Sequence, residues 1–376
     1  MSISVAAIES TSSITTPSIR SKLWDMGCHM LLGSSIVFGI ELNLFDTLHK
    51  HAYTPQQLAY ELHIDERYTI EWCLHMYSNT IIQYNESTQQ YTVDDDTYNC
   101  LCNEYSKQYV YGLIQFSYGC LQLHPLLLQQ WKSTATINNG IQWDQLNSDI
   151  TGGLRKWFNV NYQHLLQQEW IPCVDKSILD YIQHTGNPTY ICDVGCGQGA
   201  ATIQLARYFT TSNVIGYDYD INSIDIAAKL AKQYNINNLQ YIQSNANNFQ
   251  LSNDNKYDLI FFFSAMHDMS NPHDIIQHCK SVISSSGAII LIEPYGGNTL
   301  YDTCHHPSGA LFAGVSLHYC TSCAKAYTTS TDSLVMGAIQ PNSVYKQLWV
   351  DDGGFRSIEL LQPNNTPANR IFQIRP

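Results

Sequence analysis

The chain has 376 residues, comfortable for two domains, and 44% hydrophobic residues, enough for a sizeable core. Its 32 Asp and Glu outnumber 19 Lys and Arg for a net charge of −13, which argues against a broad phosphate-binding surface and so against a nucleic-acid partner. The 12 cysteines show no structural zinc spacing. Cys320-x-x-Cys323 lacks a second pair, and Cys304-His305-His306 with His318 and Cys320 reads as a loop plus a helix carrying incidental thiols. No metal is expected, and the thiols are expected to be reduced in a cytoplasmic protein.

Residues 1–20 are rich in Ser and Thr and lack the basic and apolar regions of a signal peptide, so they are expected to be disordered. The apolar run Met30–Leu48 is long enough for a bilayer, but Glu41, Asn43 and Asp46 interrupt it and no membrane partner is expected. Within 21–100, apolar residues recur at helical spacing from Leu23 to Leu48. Thr54-Pro55 then opens a second helix, Glu66–Tyr77 forms a third, and Ile81–Tyr84 with Gln90–Val93 frame a polar turn at Asn85–Gln89. Helices followed by a hairpin make a winged helix. Arg67 is the only basic residue of the third helix and the hairpin turn has none, so a dimerisation or architectural role is expected in place of DNA reading.

Residues 101–185 read as a helical linker that would cover a substrate, with Trp157 and Tyr162 as candidate substrate contacts among several aromatics. Residues 186–376 alternate strand and helix, the pattern of an α/β sheet. The first strand, Tyr190–Val194, runs into Asp193-x-Gly195-x-Gly197-x-Gly199, with a helix starting near Ala200. Glycines there let backbone approach a ligand closely. The second strand ends on Asp218, which can accept both hydroxyls of a ribose, with Tyr219 beside it. Ser244-Asn245-Ala246-Asn247 follows the third strand, where the Asn245 amide oxygen can accept from an amine. Gly195-x-Gly197-x-x-Ala200 also fits the dinucleotide fingerprint, leaving a dehydrogenase as the alternative. The close third glycine suits a cofactor without phosphates.

The fourth strand delivers Ser264-Ala-Met-His267-Asp268-Met269 to the same sheet edge, and the fifth ends on Glu293-Pro294. An imidazole there can take a proton from a phenol or amine, with Glu293 orienting it, or it can serve only to position substrate.

The glycine turn, Asp193, Asp218, Asn245, Ala246 and Ser264 together resemble the S-adenosylmethionine (SAM) site of class I methyltransferases. With His267-Asp268 and the winged helix, the chain resembles small-molecule O-methyltransferases of the caffeate and hydroxyindole type, with Met269 where those enzymes carry Trp. A closer likeness, to a less characterised family of winged-helix class I methyltransferases, rests on Gly39-Ile-Glu-Leu-Asn-Leu-Phe, Asp65-Glu-Arg-Tyr, Asp193-Val-Gly-Cys-Gly, Tyr217-Asp218-Tyr219, His267-Asp268-Met269 and Glu293-Pro294. The resemblance implies a Rossmann-like seven-stranded C-terminal sheet, an intertwined homodimer and SAM as cofactor, while the cofactor residues with His267 and the aromatic linker point to a small apolar or aromatic acceptor. Oxygen is the favoured target, with nitrogen and a catalytically idle SAM-binding regulator as alternatives.

Overall fold

The computed structural model describes residues 18–252, 255–366 and 368–376, and the chain divides into two compact units, Met1–Tyr98 and Asn99–Pro376.

The N-terminal unit opens with helix α1 (Ile19–Glu41), whose first turn is fixed by the Ser18 side chain accepting from the Ser21 amide. Ile19 and Arg20 are thus helical, a correction to the disorder expected for 1–20. The rest of that segment lies outside the described residues. Asn43, at φ 57°, separates α1 from α2 (Leu44–Lys50), so the expected continuous helix is two. A Thr54–Gln57 capping box starts α3 (Pro55–Leu62), and the Asp65 carboxylate caps α4 (Glu66–Ser78). Strands β1 (Gln83–Asn85) and β2 (Gln90–Thr92) pair antiparallel to complete the wing. Leu44, Phe45, Leu48, Leu58, Trp72 and Met76 are buried in this unit, with the Phe45 and Trp72 rings edge to face at 5.2 Å.

Along α1 the apolar residues Ile19, Leu23, Trp24, Met26, Met30 and Leu31 are all more than half exposed. By length and composition α1 could cross a membrane, and 17% of its apolar window is buried. The interruption noted at Glu41 and Asn43 marks the end of this helix, so the longest apolar stretch lies one step earlier than the sequence reading set it.

Helix α5 (Asp95–Leu101) contains the boundary between the two units, and in the C-terminal unit α6 (Tyr111–Gln122), α7 (His124–Lys132) and α8 (Ser148–Asn161) precede the sheet. Gly112 and Gly153 allow α6 and α8 to lie backbone against backbone. A Cβ on Gly112 would sit 2.4 Å from the Trp157 nitrogen, and one on Gly153 2.5 Å from the Phe116 nitrogen. The helix then widens to i→i+5 bonding over Tyr162–Trp170 before α9 (Lys176–His184).

Seven strands form one sheet: β3 (Tyr190–Val194), β4 (Asn213–Asp218), β5 (Leu239–Gln243), β6 (Tyr257–Phe263), β7 (Ile283–Pro294), β8 (Ser357–Leu361) and β9 (Asn369–Arg375). Their order is β5-β4-β3-β6-β7-β9-β8, parallel except at β9, which runs antiparallel to both neighbours. Helices α10 (Ala200–Tyr208), α11 (Ile221–Gln233) and α12 (Pro272–Val282) connect the parallel strands. Both faces are covered: Ile260 and Phe262 join one core cluster, and Leu259, Phe261 and Phe263 join the other. A strand buried on two faces needs an unbroken apolar run, which 259–263 provides. The strand order reverses at β3 and β6, so their carboxyl ends frame the crevice where such sheets bind ligands.

Candidate functional site

Gly195, Gly197 and Gly199 carry φ of 76°, 51° and 80°, so the turn after β3 needs residues that tolerate left-handed backbone. Space is short as well. A Cβ on Gly195 would lie 2.8 Å from the Met269 methyl, and one on Gly199 2.2 Å from the Tyr241 hydroxyl. The Asp218 carboxylate, at the tip of β4, accepts from the Gly197 amide at 2.8 Å and the Asp220 amide at 2.9 Å, which ties the turn to the neighbouring strand. Burial pushes its carboxyl up to about 6 despite those amides. Asp193 accepts from the Thr202 hydroxyl at 2.7 Å through one oxygen, while its other oxygen is buried without a partner. Burial raises it to about 7, the Thr202 bond working the other way.

Two adjoining lobes meet at this turn, sharing Trp143, Gly195, Gly197, Ser264, Asp268 and Tyr319. The first-expected cofactor residues Asp218, Tyr219, Asn245 and Ala246 line one lobe. Asp193, Tyr162 and His267 line the other. Ser264, at the junction, has φ 50° and a buried hydroxyl with no partner. An unsatisfied polar group on a backbone position that disfavours it is a common mark of a binding site.

His267 is 3% exposed and sits in a short turn, Met266–Asp268, that follows β6. Its Nδ1 bonds to the Glu293 carboxylate on β7, which also accepts from the Tyr345 hydroxyl at 3.1 Å and the Met266 amide at 3.2 Å. Nε2 lies 3.1 Å from Asp268 Oδ1, yet no aligned hydrogen bond reaches that buried oxygen. Burial would lower the imidazolium's pKa, but Asp268 and Glu293 outweigh it and bring it up to about 9. Burial also raises Asp268, which His267 and hydrogen bonds from Cys320 and Tyr319 partly offset.

Three expected site residues line neither lobe: Gly199 within the turn, Glu293 behind His267, and Trp157, which the fold does not bring to the cleft. Trp157 stacks on Phe158 at 4.8 Å and Phe312 at 6.1 Å, so its neighbour Phe158 lines the lobe. Helical spacing alone could not settle which of two adjacent aromatics turns inward. Residues that sequence reasoning did not select also line the cleft: Arg155, Phe312, Tyr319, Cys320 and Tyr327. The ligating atoms of His267, Asp268 and Cys320 lie within 4.8 Å of one another. In contrast, His305 stacks on Tyr301, His306 on Tyr295, and His318 bonds to the Gly314 carbonyl.

Residues 187–346 match the family model described as a methyltransferase domain, and residues 31–103 match that described as an Rv2258c-like winged HTH domain. A ubiquinone biosynthesis O-methyltransferase of Actinobacillus pleuropneumoniae is 29% identical over 118 residues, which is 30% of this chain and 49% of the relative. The chain thus spans about half the length of that curated relative. A solved O-methyltransferase-like protein from Nostoc punctiforme aligns with TM-score 0.66 and 16% identity over 96% of this chain and 99% of its own. Human N-acetylserotonin methyltransferase in complex with SAM aligns with TM-score 0.67 and 14% identity over 97% and 99%. At these identities the structures show a shared fold, and the sequence models place a methyltransferase domain behind a winged helix.

Proposed function

We propose that this chain, a class I methyltransferase domain behind a winged helix, is SAM-dependent and methylates a small, apolar or aromatic acceptor at oxygen. The observation that carries the reading is a buried imidazole, His267, held by Glu293 beside the glycine turn. The cleft fits the donor. The unpartnered Asp193 oxygen and Ser264 hydroxyl can meet an amino-acid tail, Asp218 a ribose, and the Asn245 amide an adenine amine. Bound there, SAM supplies an electrophilic methyl group on sulfonium sulfur.

The chain's own residues then have separate tasks. His267 takes the acceptor's hydroxyl proton on Nε2 as the oxygen gains the methyl group, and Glu293 steadies the imidazolium that results. Phe158, Leu154 and Phe312 line the acceptor lobe and exclude water from the reacting oxygen. Positioning of the two reactants contributes more: alignment can supply about 7–11 kcal/mol of such barriers, against about 3–5 kcal/mol for a proton transfer worth 10²–10⁴-fold.

Three further readings belong to the same proposal. The exposed apolar side chains of α1 support a homodimer formed through that helix, and light scattering is expected to give about twice the chain mass of 42.6 kDa. Arg67 is paired with Glu71 on α4, which supports an architectural winged helix in place of a DNA reader. Twelve free cysteines support a cytoplasmic setting.

Calorimetric titration with S-adenosylhomocysteine tests the core of the reading. The intact protein is expected to bind it, and Asp218→Ala to weaken that binding by about tenfold or more, since a buried charged acceptor is lost. Failure of the intact protein to bind would overturn SAM dependence. Acceptor mixtures with isotopically labelled SAM, followed by mass spectrometry, identify the methylated atom.

A further inference from the structure

Among the described residues lining the two lobes, Arg155 supplies the one guanidinium or ammonium group. It projects from α8, on the same helix as Thr151, Leu154 and Phe158, which line the lobe with it. A cation on an otherwise apolar wall of a chain with net charge −13 needs an explanation. Its carboxylate neighbour, Glu104, supplies only part of one. Arg155 Nη1 and Nη2 both reach a single oxygen of Glu104, at 3.5 and 3.4 Å, well beyond the separation of a strong charge-assisted pair. Glu104 is shared besides: Lys156 Nζ stands 3.8 Å from its other oxygen. Two cations therefore face one carboxylate at this corner. Asp149, also near Lys156, is held by the side-chain amides of Gln115 and Gln122.

The side chain of Arg155 is 23% exposed and that of His267 3%. The guanidinium thus marks the more open part of the lobe and the imidazole its floor. The same lobe is lined by Leu154, Phe158, Phe312 and Val315, with Asp193, Ser264 and Asp268 among its polar members. A ligand suited to such a lobe is apolar along its length, with a reacting group at one end and an anion at the other. The planar fork of an arginine matches a carboxylate in two hydrogen bonds, which a rearranged Arg155 can offer with its weakly used donors.

We infer that Arg155 binds a carboxylate of a ligand in this cleft. The carboxylate belongs either to the acceptor or to the amino-acid tail of the methyl donor. The inference deepens the methyl-transfer reading and rests on it only for the identity of the donor. Both sources present the same chemistry to Arg155, and two probe pairs separate them.

The test is calorimetry on the full chain with Arg155→Ala, Arg155→Lys and Glu104→Gln. The probes are S-adenosylhomocysteine against 5′-methylthioadenosine, which lacks the amino-acid tail, and 4-hydroxybenzoate against its methyl ester. If the acceptor's carboxylate is held, Arg155→Ala weakens 4-hydroxybenzoate by about 10–100-fold and leaves the ester unchanged. If the donor's is held, the same loss falls on S-adenosylhomocysteine and spares 5′-methylthioadenosine. In either case Arg155→Lys restores part of the loss, and Glu104→Gln, by freeing the guanidinium, tightens the charged probe several-fold. A residue that serves only to anchor Glu104 predicts no such tightening. Equal binding of both members of each pair by the intact protein, or no effect of Arg155→Ala on either charged probe, overturns the inference. Absence of S-adenosylhomocysteine binding in the intact protein would count against methyl transfer, while the hydroxybenzoate pair would still decide the role of Arg155.

Discussion

The two walls of the cleft are built on different principles. The wall formed by β3 and β4 is local: seven residues, Asp193–Gly199, make the turn, and Asp218 on the adjacent strand locks it through backbone amides. The opposite wall is assembled from distant segments. Arg155 and Phe158 come from α8, Phe312 from α14 (Gly309–Val315), which follows the short helix α13 (Leu300–His305), and Tyr319 and Cys320 from the widened turn after it. A wall fixed by backbone suits a ligand that does not change, whereas a wall of packed side chains can be re-cut for a different acceptor without disturbing the sheet. His267 stands between the two, carried by the sheet edge yet facing the helical side.

Breaking each wall separately sharpens that contrast. The largest effect is expected at His267: His267→Ala lowers turnover by about 10²–10⁴-fold and leaves S-adenosylhomocysteine affinity within about twofold, because the donor contacts lie on the other wall. Near-normal turnover in this variant would mean that transfer proceeds by positioning alone. Gly199→Ala attacks the donor wall instead. Its φ of 80° and the Tyr241 hydroxyl 2.2 Å from the new Cβ should cost about 1–3 kcal/mol, read as a lowered melting temperature together with weaker S-adenosylhomocysteine binding.

A pH profile probes the junction. His267 is an imidazolium below about 9, so the base form grows as pH rises and kcat/KM should climb until pH is about 9. Glu293→Gln removes one of the two carboxylates that hold the proton, so the inflection should fall toward the ordinary value of 6.5, with a smaller loss of turnover than His267→Ala. An unmoved inflection would show that His267 does not set the limb. On the donor side the sign runs through Asp218, which burial raises to about 6. Its carboxylate must be ionised to accept from a ribose, so affinity for S-adenosylhomocysteine should weaken as pH falls through about 6. Asp218→Asn should lose the step near 6 and keep the one contributed by Asp193, which burial raises to about 7. The smallest effect is expected at Trp157, which packs away from the cleft: Trp157→Phe should change an acceptor's KM by less than about twofold, whereas Phe158→Ala should raise it.

The donor wall was legible in the sequence because its determinants sit close together along the chain. A positive φ demands glycine, a strand tip demands its acidic residue next to the turn, and both constraints act over a few positions. The sheet was legible too, since a strand buried on both faces leaves an uninterrupted run such as Leu259–Phe263. What escaped was decided by long-range packing. Phe158, not Trp157, reaches the lobe because α8 lies against α6 at Gly112 and Trp157 packs beside Phe116 of that helix, a contact that no periodicity records. Arg155 was passed over because its partner Glu104 stands 51 positions upstream. The start of α1 was missed by two residues, since a Ser at the end of a Ser/Thr-rich stretch looks like more of the same until its side chain is seen to cap a turn.

The antiparallel strand β9 places Arg370 opposite Glu293 in the sheet register. Its guanidinium lies over the Tyr345 ring at 4.4 Å and the Phe372 ring at 5.6 Å, and bonds to Asn342 and the Gln340 carbonyl at 2.7 and 2.6 Å. This buried cation acts on His267 in the direction opposite to the two carboxylates. A nascent chain that has emerged through β7 already carries the glycine turn, Asp218, His267 and Glu293, and has yet to receive this charge. Translation therefore delivers the glycine turn first and the charge that opposes the two carboxylates at His267 only with the final strand.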